Sequence, residues 1–261
     1  MPGMTEPRAS QLASLARRAL RGTVEGLNQL LWPPVCTNCG ASIAPADRDL
    51  CQDCWDQLLT CTAGEYCPRC GRDASRYGLV AGACPSCQGT ALHFDGIARA
   101  GVYTEALQQM ILSFKNGRSE LDVVLGRLAD AAFQGSPFHH RIDLLAPVPL
   151  HWTRRLARGY NQSHLIAKRL RHPAARICTD LVRIRRTKAQ PAALTPAARA
   201  RNVKGAFAVR SDHRFAGKTI CLVDDIKTTG ATLNECARTL KEAGAAHVCA
   251  LVLAVAGQRP S

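Results

Sequence analysis

Four C-x-x-C pairs fall within about fifty residues: Cys36 and Cys39, Cys51 and Cys54, Cys67 and Cys70, Cys84 and Cys87. Chance placement of the chain's thirteen cysteines would give roughly one such pair in the whole sequence. A C-x-x-C turn lets two thiolates face one ion while backbone N–H groups of the turn point at the sulfurs, and Zn2+ takes a second pair to close a tetrahedral site. Here "CTNCG" is followed by "CQDCW" and "CPRCG" by "CPSCQG", with 11 and 13 residues between the pairs, which is zinc-ribbon spacing. Sequential assignment puts Cys36, Cys39, Cys51 and Cys54 on one structural ion and Cys67, Cys70, Cys84 and Cys87 on another; spacing leaves crossed pairing open. A redox C-x-x-C is expected alone beside a βαβ pattern, which four tandem pairs are not. Cys61, Cys178, Cys221, Cys236 and Cys249 lack partners at ligand spacing and read as core residues or spectators.

A chain of 261 residues is long enough for one medium domain plus a small appendage. Over 1–31, "SQLASLARRALRGTVEGLNQLLW" carries apolar residues at helical spacing, but Arg17, Arg18 and Arg21 interrupt it, so it reads as a surface or docking helix rather than an export signal. No apolar stretch reaches the roughly 18–20 residues of a membrane span. The expected setting is the reducing cytoplasm, where paired thiols mean metal rather than disulfide. Residues 1–90 hold eight Lys/Arg and eight Asp/Glu, so the chain's net charge of +14 falls beyond them. Between His151 and Gly217, sixteen Lys/Arg face only Asp180 and Asp212. A charge run is often just a solvated face, but this density also suits a polyanion or a multiply phosphorylated ligand.

From residue 94 the pattern becomes alternating apolar runs and amphipathic stretches. It predicts a strand at 96–103, helices near 104–115 and 119–133, a strand in "IDLLAPVPL", a basic loop "HWTRRLARG" and a helix "YNQSHLIAKRL". An irregular basic stretch follows over 176–215, with two short strands, then a buried strand "KTICLVDD", a helix "GATLNECARTLKEAG" and a last strand "HVCALVLAV". That rhythm implies an α/β fold with a parallel sheet flanked by helices, binding ligands at the carboxyl ends of its strands.

"ICLVDDIKTTGAT" sits at such an end. Its apolar strand delivers Asp224 and Asp225 to the rim, and Lys227 to Thr232 wrap into the next helix. Free backbone N–H groups, hydroxyls, Gly230 and the positive helix end suit a phosphate. The two carboxylates suit vicinal sugar hydroxyls and a nearby Mg2+. Together these features call for a ribose 5-phosphate, whereas an N-capped turn alone would not explain two acids beside "TTGAT".

This stretch resembles the phosphoribosyl pyrophosphate (PRPP) signature of type I phosphoribosyltransferases. With the four C-x-x-C pairs, "PVPLHWTRRLARGYNQS" and "RRTKAQPAALTPAARARNVKGAF", the chain resembles the ComF family from about residue 30 to 256. The resemblance implies an N-terminal helix (1–31), a double zinc ribbon (32–92) and a phosphoribosyltransferase-like domain (93–258). It also implies a link to DNA uptake in natural transformation. It puts Asp224 and Asp225 on the ribose hydroxyls and Lys227, Thr228, Thr229, Gly230, Ala231 and Thr232 around the 5-phosphate. Arg158, Gly159, Tyr160, Asn161 and Gln162 fall on the pyrophosphate side, and Arg186, Gln190, Leu194, Arg199 and Asn202 in a hood over the acceptor. Lys115 matches a family lysine without an assigned role.

If transfer occurs, it displaces pyrophosphate at the anomeric carbon, with Asp224, Asp225 and Lys227 nearest the chemistry, Mg2+ on the PRPP and no obligatory protein base. The last strand ends about ten residues before residue 261, so residues 176–215 are expected to read any acceptor. Three readings follow: a PRPP-binding protein that handles single-stranded DNA with competence partners, an active phosphoribosyltransferase with an unidentified acceptor, and a ribbon interaction module on a transferase scaffold. Trp152, Tyr160 and Phe207 among the cations favour the first, because aromatic platforms in basic grooves suit single strands.

Overall fold

The computed structural model describes residues 14, 31, 33–44, 49–187 and 195–257. Apart from Ser14 and Leu31, both helical, the expected N-terminal helix lies outside the described residues, as do Gln190 and Leu194. The chain divides into two compact units, Met1–Trp55 and Asp56–Ser261. Among the described residues no helix is long and apolar enough to cross a membrane.

In the first unit a bridge between Val35 and Ser42 closes a knuckle in which Cys36 N–H donates to Ala41 O at 2.7 Å and Gly40 N–H to Cys36 O at 2.9 Å. Helix α1 (Gln52–Thr62) carries Cys54 in its first turn. The second unit repeats the knuckle, with a bridge between Tyr66 and Asp73, Cys67 N–H on Arg72 O at 2.8 Å and Gly71 N–H on Cys67 O at 2.7 Å. The short α2 (Pro85–Gln88), with proline at its first position, carries Cys87.

The rest of the second unit runs β1 (Gly96–Val102), α3 (Glu105–Lys115), α4 (Asp122–Gln134), β2 (Leu144–Pro147), α5 (Trp152–Arg158), α6 (Gln162–Arg169), β3 (Arg176–Ile177), β4 (Leu181–Arg183), α7 (Pro196–Val203), β5 (Phe207–Val209), β6 (Thr219–Lys227), α8 (Ala231–Glu242) and β7 (His247–Val255). Five strands form a parallel sheet in the order β1-β7-β6-β2-β3, and β4 and β5 pair antiparallel beside it. The centre of the sheet, β7 and β6, is apolar on both faces because helices cover both. Leu233, Cys236, Ala237 and Leu240 of α8 pack with Ile220, Leu222, Val248, Ala250 and Val252 on one face. Helices α4 and α6 pack against each other and on the sheet. Each fully buried Leu, Ile or Val here contributes about 1.5–3 kcal/mol.

Two expectations are corrected. "HWTRRLARG" is not a loop: His151 caps α5, its Nδ1 accepting from Thr153 N–H at 3.3 Å, and left-handed Gly159 ends the helix. β6 does not stop at Asp225, since β7 runs on to Val255 and offers partners to Ile226 and Lys227 as well. The carboxylates therefore sit within the strand's last turns of pleat, and Lys227 belongs to the strand rather than the loop. The basic stretch 176–215 is also more ordered than expected, holding α7 and β3 besides the two expected short strands.

Candidate functional site

The four sulfurs of Cys36, Cys39, Cys51 and Cys54 lie within 4.8 Å of one another, and so do those of Cys67, Cys70, Cys84 and Cys87, so the pairing is sequential. Sulfurs about 2.3 Å from one ion stand about 3.8 Å apart along a tetrahedron's edge. The Cys39–Cys51 and Cys67–Cys87 separations are 3.7 Å, Cys70–Cys84 is 3.6 Å and Cys84–Cys87 is 3.8 Å. A disulfide would need about 2.05 Å. Donors to sulfur complete the sites: Asn38 Nδ2 reaches Cys54 Sγ and Cys84 N–H reaches Cys67 Sγ, both at 3.3 Å. Burial pushes the Cys36 and Cys67 thiols up, but backbone N–H groups outweigh it and draw them down to about 6 and about 7. Both clusters fit structural zinc. Cys61, Cys221, Cys236 and Cys249 are buried and Cys178 is half-buried, outside both clusters.

At the carboxyl end of β6, successive side chains of the extended strand point to opposite faces, and the partners of the two carboxylates follow that alternation. Asp224 accepts from Ser163 Oγ at 3.1 Å and lies in the field of Arg183; Asp225 pairs with Lys115 Nζ at 3.0 Å and lies beside Tyr103. Burial, then the charge of Asp225, pushes Asp224 up to about 7. Lys115, the last residue of α3, thereby acquires a place: it neutralises the more exposed side of the acidic pair.

The loop after β6 carries Thr228 exposed and Thr229 half-buried, and Thr229 Oγ1 accepts from Ala231 N–H at 3.4 Å. Gly230 is left-handed, with φ 83°, and no side chain caps α8. First-turn N–H groups of a helix have no intrahelical partner, so this end presents donors and the positive dipole end, with Thr232 in its first turn. A phosphate fits. Lys227, expected on that phosphate, is instead 4% exposed beneath the loop.

The block "RGYNQ" largely builds the α5–α6 corner. Arg158 donates to Gln162 Oε1 at 2.7 Å, Tyr160 O–H donates to Phe114 O, and Asn161 caps α6 while its Nδ2 donates to Val148 O at 3.1 Å. Besides Lys115, the charge that acts on the Asp224 side comes from elsewhere. Arg183 lies over the Phe207 ring at 5.2 Å and feels both Asp224 and Arg154, and His151 is held low by burial and then by Arg183, Arg186 and Arg154. A cavity of about 520 Å3 beside them is lined by Trp152, Tyr160, His164, Lys168, Arg183 and Arg210 among others. A larger one, about 580 Å3, lies at the opposite ends of the strands near Phe138, Thr219 and His247 and shares no lining residue with the carboxylates or their loop. In the hood, Arg199 and Asn202 lie on α7, Arg185 donates to Asn202 O at 3.2 Å, and Glu235 of α8 accepts from Gly205 N–H at 2.6 Å. Sequence reasoning missed Ser163, although it directly follows "RGYNQ", and Arg183, which nothing local separates from fifteen other cations.

Residues 27–88 match the family described as "Double zinc ribbon domain", and residues 158–261 match "Phosphoribosyl transferase domain". The chain is 30% identical over 220 residues to "Competence protein F" of Haemophilus influenzae, covering 82% of this chain and 93% of that protein. It is 29% identical to "Competence protein ComFC" of Bacillus subtilis, covering 77% and 81%, and 30% identical to "DNA utilization protein YhgH" of Escherichia coli, covering 84% and 96%.

Proposed function

The chain belongs to the ComF family, a double zinc ribbon joined to a phosphoribosyltransferase domain, and from that premise we propose that it binds PRPP and handles single-stranded DNA during DNA uptake. The observation that carries PRPP binding is the uncapped start of α8, with left-handed Gly230, directly after the two carboxylates of β6. In this reading the loop Thr228–Thr232 holds the 5-phosphate and Asp224 and Asp225 take the ribose hydroxyls. Arg158, Gly159, Tyr160 and Asn161 shape the pyrophosphate side, where Arg154, Arg183 and Arg186 add charge. Mg2+ bound with PRPP would neutralise the pyrophosphate.

PRPP with Mg2+ at a hundredfold excess over its Kd should stabilise the fold by about 2.7 kcal/mol in a thermal-shift titration. Ribose 5-phosphate should do so less, and joint Asp224→Ala and Asp225→Ala should remove most of the shift while keeping zinc. Equal shifts in wild type and double variant would sink the site. Because Asp224 ionises only above about 7, PRPP affinity should fall as pH drops from 8 to 6, and Asp224→Asn should flatten that dependence.

DNA handling draws on the +14 segment and on the cavity that sets Trp152 and Tyr160 among Lys168, Arg183 and Arg210. The printed names of the relatives, competence and DNA utilization, support DNA handling, and in this reading the protein acts in the cytoplasm with competence proteins as partners. Single-strand affinity should fall steeply with salt, with a log–log slope of about −0.7 per phosphate contact. No binding at low salt would end this reading. The same cavity also favours a second reading, transfer of ribose 5-phosphate to an acceptor, with Arg186, Gln190, Arg199 and Asn202 as the residues expected to read that acceptor. Pyrophosphate release on adding nucleobases or single-stranded DNA would establish it.

A further inference from the structure

Lys227 is at odds with its surroundings for a phosphate ligand. Its stem passes under the loop so closely that a Cβ on Gly230 would lie 3.0 Å from Lys227 Cε and 3.7 Å from Nζ. Among the described residues no carboxylate pairs with the ammonium. Burial holds its pKa down; Cys70 of the second ribbon opposes this, Arg72 of the same knuckle adds to it, and Cys87 and Cys67 oppose it. The strand geometry agrees: Lys227 stands in register with Val255 of β7, and the ribbon's Gly71 packs against Val255 Cγ2 and Ile97 Cγ2, 3.1 and 3.3 Å from where its Cβ would be.

A second tie runs from the same ribbon to the same loop. Asn234, in the first turn of α8, accepts from His93 N–H at 2.6 Å and donates through Nδ2 to Ala91 O at 3.3 Å, while its own N–H closes on Gly230 O at 2.8 Å. Residues 91–93 are the tail that leaves Cys87 for β1. One knuckle thus lies beneath the phosphate loop, and the ribbon's tail is clamped to the helix that the loop starts.

We propose that the second ribbon is a working part of the phosphate loop, so that metal on Cys67, Cys70, Cys84 and Cys87 and a ribose 5-phosphate group on Thr228–Thr232 tighten each other's binding. The proposal rests on the PRPP reading above. Four thiolates on one Zn2+ sum to two negative charges, the counter-charge a buried ammonium needs. With the metal gone nothing holds the four sulfurs together, and the knuckle that packs on Val255 beside Lys227 loses its fixed shape and its concentrated negative charge. The Lys227 stem then no longer has a fixed place under Gly230, and the loop's N–H groups lose their common aim.

Coupling between two sites is reciprocal, so it can be read at the metal without any turnover. In the full-length Cys36→Ser variant, which keeps only the second centre, zinc affinity is measured by competition with a zinc-selective dye, with and without saturating PRPP. PRPP should tighten this ion about tenfold. Lys227→Met, which keeps an apolar stem and removes the charge, should cut the effect below twofold, and Asn234→Ala should reduce it to about threefold. PRPP binding by thermal shift with unchanged zinc affinity overturns the proposal and leaves the PRPP reading standing. Absence of any PRPP shift removes that reading and the proposal with it. Full coupling in folded Lys227→Met overturns the role of Lys227; should that variant not fold, undiminished coupling in Asn234→Ala overturns the proposal.

Discussion

The two zinc knuckles are built alike and used differently. Cys36 and Cys67 each donate to a carbonyl five residues on, and Gly40 and Gly71 each donate back to the first cysteine. Both glycines are left-handed, with φ 78° and 77°. Yet Cys39 is exposed and Cys51 half-buried in the first cluster, whereas all four cysteines of the second are buried. A Cβ on Gly40 would meet nothing within 4 Å, and one on Gly71 would press on the sheet. The second knuckle is also held by Arg99 of β1, 4% exposed, which donates to Gly71 O at 2.9 Å, pairs with Asp73 and lies over the Tyr66 ring at 4.8 Å. One turn chemistry thus recurs with a more exposed cluster in the first unit and, in the second, with a buried cluster packed on that unit's own sheet.

The largest separation should come from removing ligands. Cys67→Ser should cost the sheet unit about 3–5 kcal/mol and lower its Tm by about 10 °C, because the buried remnant of a metal site has no partner. Cys36→Ser should lose one zinc ion and leave that transition within about 0.5 kcal/mol. Melting curves paired with zinc analysis read both, and equal falls would mean that the two knuckles support the sheet unit alike. Arg99→Met should come next, at about 2 kcal/mol in denaturant unfolding, since Gly71 O loses a charged donor while Asp73 regains water. Hydrogen exchange should accelerate over residues 66–73 and stay unchanged over 35–42. The smallest and cleanest contrast is Gly71→Ala against Gly40→Ala. Each meets left-handed strain of about 1 kcal/mol, and only Gly71→Ala adds about 1 kcal/mol of crowding against Val255 and Ile97. Matching losses would mean that docking contributes nothing at that contact.

Much of this was legible in the chain itself. The C-x-x-C-G knuckles, the apolar runs of β6 and β7, and the glycine-bearing loop after them are set by interactions spanning few residues, so pattern alone located them. The expected loop "HWTRRLARG" proved helical because His151 and Gly159 act as caps, a signal present in the sequence and outweighed by its basic composition. The end of β6 was misplaced because a strand stops where its neighbour stops offering partners, and that neighbour is β7.

The sequence by itself determined that eight cysteines form knuckles fit for metal, that a parallel α/β domain follows, and that a glycine-bearing loop trails two carboxylates. Tertiary structure alone decided that the pairing is sequential, that Ser163 reaches Asp224 across 61 residues, that Lys115 rather than Lys227 faces the acidic pair, and that the second ribbon packs on the sheet of its own unit. Local geometry follows from backbone hydrogen bonds and allowed dihedrals, which each short stretch carries with it. The aim of a side chain on a distant element depends instead on how sheet and helices pack, and identical knuckles carry no mark of which surface each will meet.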